Sequence, residues 1–264
     1  MTDLAYDRAG PTGDLPLLLL HAGVADRRMW DPLWSDLTPE RDVVRLDLRG
    51  FGDSAARPED GWSHEADVLA TLDGLGIERA HLVGASMGAG IAVEVALARP
   101  ALVASLLLAA PGGSLIPRMT DELRAFVTAE NDAMDAGDLD TAAQANVDWW
   151  LVSPRRGADA VPAETRALVH AMQRRAFELT ADWDDIEEAE PDPEPLERLG
   201  EIAVPTLVLT GGLDLDAIGE AADAVLAGVA GARRTQWEDA AHLPSLDQPH
   251  AFTALVREWL ATVG

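Results

Sequence analysis

The pentapeptide Gly84-Ala85-Ser86-Met87-Gly88 constrains the fold of this chain more than any other stretch of its sequence. It follows a short apolar run over residues 80–83 and precedes a run with helical character over residues 89–99. A G-x-S-x-G sequence between a strand and a helix predicts a tight turn that exposes the serine hydroxyl as a nucleophile. Glycine at both ends removes the Cβ atoms that would collide where strand and helix pass closely. By itself the pentapeptide also fits a serine that only caps a helix.

A serine nucleophile needs a base and an acid, and both candidates follow Ser86 in the chain. His242 lies in a loop after an apolar run, and Asp214 lies in the loop after the strand-like residues 205–209. In an open α/β sheet, loops at the carboxyl ends of the strands build the site. We therefore predict a triad in which His242 takes the serine proton and Asp214 orients the imidazole. Asp216 and Asp239 are the alternative acids: the first is better placed to cap the next helix, and the second to hold the histidine loop.

Strand-like and helical patterns alternate along most of the chain, which predicts a mostly parallel central sheet flanked by helices. The predicted strands are 5–8, 15–21, 43–47, 80–84, 103–109, 205–210 and 232–237, and the predicted helices 31–38, 64–76, 86–99, 216–229 and 246–262. The alternation stops between about residues 117 and 199. That segment carries helical stretches only, over 121–136, 139–151 and 162–179.

Four motifs together resemble the α/β-hydrolase superfamily, in the branch of small cofactor-free bacterial esterases, lactonases and enol-lactone hydrolases. They are the strand and loop 17–23 (LLLLHAG), the loop 47–54 (DLRGFGDS), the serine turn, and the paired acid and histidine loops. The resemblance implies that the loop after His21 supplies one oxyanion-hole amide and that the amide of Met87 supplies the other. Relatives have glycine where this chain has Ala22, so Gly23 is the first choice for the donor and Val24 the alternative.

The same resemblance implies a core of residues 1–116 and 200–264 with a helical cap inserted over 117–199. A cap above Ser86 would enclose a concave and largely apolar site. Trp149 and Trp150 lie in the cap and are candidates for lining the substrate pocket, although aromatic residues there often serve packing alone. The acidic, proline-containing stretch 182–197 reads as an exposed and stiff return linker.

Composition limits the partners. The formal net charge is −26 and all basic residues are arginine, so binding to nucleic acid or to an anionic membrane is not expected. The chain has no cysteine, its histidines lack metal-ligand spacing, and no glycine-rich loop matches a phosphate or dinucleotide site. We expect no cofactor and no metal. The amino terminus carries no targeting pattern, which predicts a cytoplasmic protein. An apolar patch on the cap would allow a homodimer.

The predicted function is that of a serine hydrolase cleaving a small, uncharged or weakly polar carboxylic ester or lactone through an acyl-enzyme. The same residues would also support C–C bond hydrolysis or cofactor-free perhydrolysis, as they do in relatives. A third alternative is a small-molecule sensor that retains the triad without turnover. Fold and triad do not separate these alternatives.

Overall fold

The structure is a computed structural model that describes residues 4–264, and its centre is a seven-stranded sheet. The strands are β1 (Tyr6–Ala9), β2 (Leu17–Leu20), β3 (Val43–Leu46), β4 (Ala80–Ala85), β5 (Val103–Ala109), β6 (Thr206–Gly211) and β7 (Arg233–Trp237). They lie side by side in the order β1-β3-β2-β4-β5-β6-β7. Strand β1 runs antiparallel to β3, and every other neighbouring pair is parallel. The predicted α/β fold with a mostly parallel sheet is confirmed.

Helices flank the sheet in the predicted alternation. They are α1 (Asp31–Leu37), α2 (His64–Gly74), α3 (Met87–Ala98), α4 (Asp121–Asp135), α5 (Leu139–Asn146), α6 (Ala163–Thr180), α7 (Pro195–Arg198), α8 (Asp216–Gly228), α9 (Pro244–Asp247) and α10 (Pro249–Val263). The helix predicted over 246–262 is divided into α9 and α10, because Pro249 has no N–H to continue the first of them. Within residues 4–264, no helix combines the length and apolar character needed to cross a membrane.

The helices α4 to α7 lie in the chain between β5 and β6, where the sequence predicts a helical insertion. The helix predicted over 139–151 is α5 followed by a π-helical turn, Val147–Val152. Such wider turns are rare and often mark functional positions. The division of the chain at residues 117 and 199 into core and cap stays a prediction.

Strand β2 shows why the sheet is covered on both faces. All four of its leucines are buried, and successive side chains of a strand point to opposite faces. Leu17 and Leu19 belong to a core cluster that contains residues of α1 and α10. Leu18 and Leu20 belong to a second cluster that contains residues of α2 and α3. A continuous apolar strand is typical of a parallel sheet between two helical layers.

The strand register brings the loops of the site to one edge. Leu20 pairs with Gly84, Gly84 with Leu108, Leu108 with Val208, and Val208 with Arg234. Because these five neighbours run parallel, their carboxyl ends lie on the same side of the sheet, and the loops that follow β2, β4, β5, β6 and β7 leave it side by side. All candidate catalytic residues predicted from the sequence belong to these loops.

Candidate active site

Ser86 is the single residue between β4 and α3, and its backbone has φ 51° and ψ −117°. Such a positive φ is strained for a residue with a Cβ atom and persists only where the surroundings enforce it. A Cβ atom on Gly84 would lie 2.2 Å from the carbonyl oxygen of Gly88. One on Gly88 would lie 2.5 Å from the carbonyl oxygens of Leu20 and His21. Both glycines are therefore required by the close approach of backbone to backbone around the serine.

The loop after β5 supports the serine turn and was not singled out by the sequence. The amide of Ser86 donates to the carbonyl oxygen of Ala109 at 2.9 Å, and the amide of Gly112 donates to the carbonyl oxygen of Ser86 at 3.1 Å. A Cβ atom on Gly112 would lie 3.0 Å from Ser86 Oγ, so a larger residue there would crowd the hydroxyl. The Pro-Gly-Gly sequence at 111–113 was the available signal. Within residues 4–264, Ser86 Oγ makes no hydrogen bond.

Asp214 and His242 are in contact beyond the carboxyl ends of the strands. His242 Nδ1 lies 2.9 Å from Asp214 Oδ2, and the two side chains are 2% and 4% exposed. The second carboxylate oxygen, Oδ1, accepts the amide N–H of Leu215 at 2.7 Å. Because the carboxylate can only accept, Nδ1 carries the proton and Nε2 of the neutral ring holds a lone pair.

The alternative acids lie elsewhere. Asp216 is the first residue of α8, and its Oδ1 accepts from the hydroxyl of Thr120 at 2.6 Å and from the amide of Ala217 at 2.8 Å. Asp239 is exposed, and its carbonyl oxygen accepts from Arg156 at 3.4 Å. Of the three acids considered from the sequence, Asp214 is the one in contact with His242.

The candidate oxyanion loop lies against the serine turn. A Cβ atom on Gly23 would lie 3.5 Å from Sδ and 3.7 Å from Cβ of Met87. Within residues 4–264, no hydrogen bond uses the amide N–H of Gly23, Val24 or Met87. The structure thus keeps both alternatives for the first donor, and it places the loop beside the residue expected to supply the second.

His21 connects this loop to the one after β3. Its ring is fully buried, Nε2 accepts the amide N–H of Leu48 at 2.9 Å, and Nδ1 donates to the carbonyl oxygen of Ala22 at 2.8 Å. Burial lowers the pKa of His21, which favours the neutral ring that these two hydrogen bonds require. His21 therefore holds two loops together without carrying charge.

The loop 47–54 supports the candidate oxyanion loop through hydrogen bonds of Asp47. Asp47 is buried and accepts the amide N–H groups of Arg27 and Asp53, each at 2.8 Å, and it also pairs with the guanidinium of Arg27. A Cβ atom on Gly52 would lie 2.2 Å from the carboxylate of Asp47. The hydroxyl of Ser54 donates to the carbonyl oxygen of Asp47 at 2.8 Å. Asp47, Gly52 and Ser54 of the motif are thus parts of one hydrogen-bonded turn.

The two tryptophans of the insertion have different surroundings. Trp150 is buried, and its ring centroid lies 4.4 Å from that of His242 and 4.9 Å from that of Phe126. Trp149 is partly buried and packs at 6.3 Å from Phe126. The π-helical turn therefore places Trp150 directly on the imidazole.

Two further side chains of the insertion hold the acid and histidine loops, and neither was predicted from the sequence. Ser153, in a strained conformation with φ 77°, donates its hydroxyl to the carbonyl oxygen of Leu213. Arg156 pairs with Asp247 at 2.9 Å, and Asp247 accepts the amide N–H of Ala241 at 2.9 Å. The segment after the π-helical turn is thus bonded to both loops. Among residues 4–264, no group of three or more His, Asp or Glu side chains is arranged to hold a metal ion.

Comparison with known proteins gives matches of both sequence and structure. The profile of the Alpha/beta hydrolase family matches residues 17–255. A dihydrolipoyllysine-residue acetyltransferase component of the acetoin cleaving system, from Pseudomonas putida, is 39% identical over 130 residues, which are 48% of this chain and 35% of that protein. The first curated relatives are matched over only 35% to 62% of their own lengths.

Solved structures match over nearly the whole chain. The enol-lactonase from Burkholderia xenovorans LB400 is 25% identical with a TM-score of 0.77, covering 98% of this chain and 96% of that one. A thermophilic esterase from Thermogutta terrifontis is also 25% identical, with a TM-score of 0.76, covering 98% of this chain and 93% of that one.

Proposed function

The chain belongs to the alpha/beta hydrolase family, and from this premise we propose that it is a serine hydrolase that cleaves a small carboxylic ester or lactone. The observation that carries the proposal is the buried contact of 2.9 Å between Asp214 and His242, at the sheet edge where Ser86 occupies its strained turn. The similarity to an esterase and to an enol-lactonase over nearly the whole chain supports this substrate class.

In the proposed mechanism the Ser86 hydroxyl attacks the substrate carbonyl and His242 Nε2 accepts its proton. Asp214 keeps the Nδ1 proton in place and stabilises the imidazolium that forms. His242 then gives the proton to the leaving alkoxide, which leaves an acyl group on Ser86. Water attacks the acyl-enzyme with His242 again acting as base, and the carboxylic acid is released.

The developing oxyanion needs donors that are not already engaged. The amide of Met87 and that of Gly23, with Val24 as the alternative, meet this condition because no other residue within 4–264 occupies them. Removal of one such donor costs about 2.7–4 kcal/mol of transition-state stabilisation in a serine protease. The Ser86 hydroxyl forms its bond to His242 on substrate binding in this proposal, since catalytic hydrogen bonds often tighten only then.

We further propose that Trp150 forms the apolar wall of the substrate pocket. Its ring already covers the imidazole at 4.4 Å, so an acyl or lactone ring above Ser86 would contact it. Trp149, the residue before Trp150, packs on Phe126, and in this proposal it supports the wall of the pocket without contacting His242. A pocket of this kind favours an uncharged or weakly polar substrate.

Steady-state hydrolysis of a panel of aryl esters, lactones and thioesters tests the proposal. We expect many turnovers per protein molecule on at least one ester or lactone, and loss of nearly all of that rate in Ser86→Ala. Ser35→Ala is the matched control, because this serine is exposed on α1, and its rate should not change.

Other results would contradict the proposal. A product yield of one molecule per protein, with no second turnover, would favour a sensor. Cleavage of a C–C bond in a diketone, or peracid formation from acetate and hydrogen peroxide, in the absence of ester or lactone turnover would assign the same residues to another reaction. Activity that survives in Ser86→Ala would exclude the serine as nucleophile.

A further inference from the structure

A cleft of about 1010 Å³ lies between the start of α2, the outer face of α3 and residues 187–191 of the return segment. Backbone contacts hold that segment in place: Gly61 donates to the carbonyl oxygen of Glu187 at 3.0 Å, and Ala189 donates to that of Trp62 at 2.6 Å. The sequence predicts this stretch as an exposed linker. In the structure it forms one wall of a defined cleft.

Five carboxylates line the cleft, and among residues 4–264 no arginine belongs to its lining. The acidic residues in its lining are Asp60, Glu94, Glu187, Glu188 and Glu190. Burial raises the pKa of Glu94, and the charge of Glu65 adds to this. Burial also raises the pKa of Glu188, with further contributions from Glu94 and Asp67. Negative charge is therefore crowded here, and a bound cation would relieve it.

His64 supplies a second, independent observation. Its ring lines the same cleft, the residue is 8% exposed, and its buried Nδ1 has no hydrogen-bond partner within residues 4–264. Burial lowers the pKa of His64 to about 3, so the ring is neutral at pH 7 and one of its nitrogens is an acceptor. A buried polar atom without a partner is costly unless something satisfies it. The backbone N–H of His64 donates to Glu188 Oε1 at 3.3 Å, so this carboxylate lies at the start of the helix that carries the ring.

From this arrangement we propose that the cleft is a binding site for a primary alkylammonium group. Such a group carries a positive charge and three N–H donors, which suits carboxylates and the acceptor nitrogen of a neutral imidazole. Met87, Ile91 and Pro191 form apolar parts of the lining, and an alkyl chain would contact them. The site goes beyond the proposed hydrolysis and does not depend on it, although Met87 brings its ligand next to the serine turn.

The contacts of Glu94 and His64 allow substitutions that remove one interaction and keep the others. Glu94 accepts from the hydroxyl of Ser114 at 2.5 Å, and glutamine can keep that bond while losing the charge. His64→Phe retains the aromatic contacts with Trp62 and Phe51 and removes the acceptor. Glu164 is exposed on α6, away from the cleft lining, so Glu164→Gln makes the same change in net charge and serves as the control.

The test is calorimetric titration with hexylammonium chloride and with 1-hexanol, at pH 7.5 and 0.15 M salt, where diffuse attraction beyond about 8 Å is screened. We expect hexylammonium to bind at least about tenfold more tightly than hexanol, and Glu94→Gln and His64→Phe each to weaken it roughly 3- to 10-fold. Glu164→Gln should leave the affinity within about twofold. The far-UV spectrum of each variant establishes that it is folded.

Two results would overturn the proposal. Equal binding of the amine and the alcohol by the unaltered protein would show that the cleft does not recognise charge, whatever the variants do. Equal weakening by Glu164→Gln and Glu94→Gln would show that only the overall charge of the protein attracts the cation. Because the titration does not use catalysis and can be repeated in Ser86→Ala, its outcome is independent of whether the protein hydrolyses esters.

Discussion

The pairing of Arg156 with Asp247 links the segment after the π-helical turn to the loop that carries His242. The guanidinium lies 2.9 Å from the carboxylate, and the two side chains are 13% and 8% exposed. It also donates to two backbone carbonyl oxygens of the π-helical turn, at 2.7 and 2.8 Å. Asp247 in turn holds the amide of Ala241, which precedes His242. We therefore choose Arg156→Met, which keeps much of the side-chain volume and removes the charge and all donors.

The expected loss follows from the burial of the partner. Removing one member of a buried ion pair leaves the other charge uncompensated and typically costs about 3–5 kcal/mol. At the lower end, about 3 kcal/mol, the melting temperature of a chain of this size should fall by roughly 6–12 °C. Arg257→Met is the matched control, because its pair with Glu40 is 44% and 58% exposed. An exposed pair of this kind contributes at most about 1 kcal/mol.

Urea unfolding of the two variants and the unaltered protein measures the difference. The midpoint should fall for Arg156→Met far more than for Arg257→Met, with similar slopes in all three proteins. Turnover measured where Arg156→Met remains folded should also fall, because the loop that carries His242 has lost its support. Equal midpoints for the two methionine variants would refute the reasoning. An Arg156→Met protein with full stability would show that the ion pair does not hold the loops.

Asp214→Asn should lower turnover by up to about 10⁴-fold and Asp216→Asn by less than about tenfold, and the reverse order would show that the acid was misassigned. Gly84→Ala should prevent folding, because its Cβ atom would lie 2.2 Å from a backbone carbonyl oxygen. Gly219→Ala, inside α8 with no atom within 4 Å of the new Cβ, should stabilise by about 0.5–1 kcal/mol, and thermal melting of both variants checks the contrast. Because burial lowers the pKa of His64 to about 3, its contribution to stability is fully present above pH 6.5 and is lost as the pH falls towards 3. That loss amounts to at most about 1.4 kcal/mol per pH unit. The free energy of unfolding, measured at pH 7, 6 and 5, should therefore decline less in His64→Phe than in the unaltered protein. An equal decline in both proteins would contradict the lowered pKa of His64.

Local sequence patterns were enough to predict the sheet, the turn that holds Ser86 and the loop that holds Asp214. Strand β2 is four leucines in a row, and Ser86 lies in a pentapeptide whose first glycine, Gly84, is required by its contact with Gly88 in the same strand–turn–helix unit. Asp214 could be preferred to Asp216 because it lies in the loop after a strand, whereas Asp216 begins a helix. In each case the determining interactions lie within a few residues along the chain.

Features that depend on distant contacts could not be predicted. Arg156 gains its role from Asp247, and a guanidinium in a loop gives no sign of a partner so far along the chain. Gly112 matters because β5 lies beside β4, which places its Cα next to the serine hydroxyl. The acidic cleft forms where Glu94 on a core helix faces Glu188 in the return segment. Residues 187–190 are exposed, as their charge predicted, and tertiary packing in addition makes them one wall of the cleft.

Mapping the site of covalent labelling tests the central claim most directly. A fluorophosphonate probe reacts with an activated serine hydroxyl, so peptide mapping of the labelled protein should place the adduct on Ser86 with one equivalent bound and hydrolysis abolished in proportion. Ser35→Ala should label fully and Ser86→Ala not at all. An adduct on another residue, or an active protein that the probe does not modify, would contradict the assignment of Ser86 as the nucleophile.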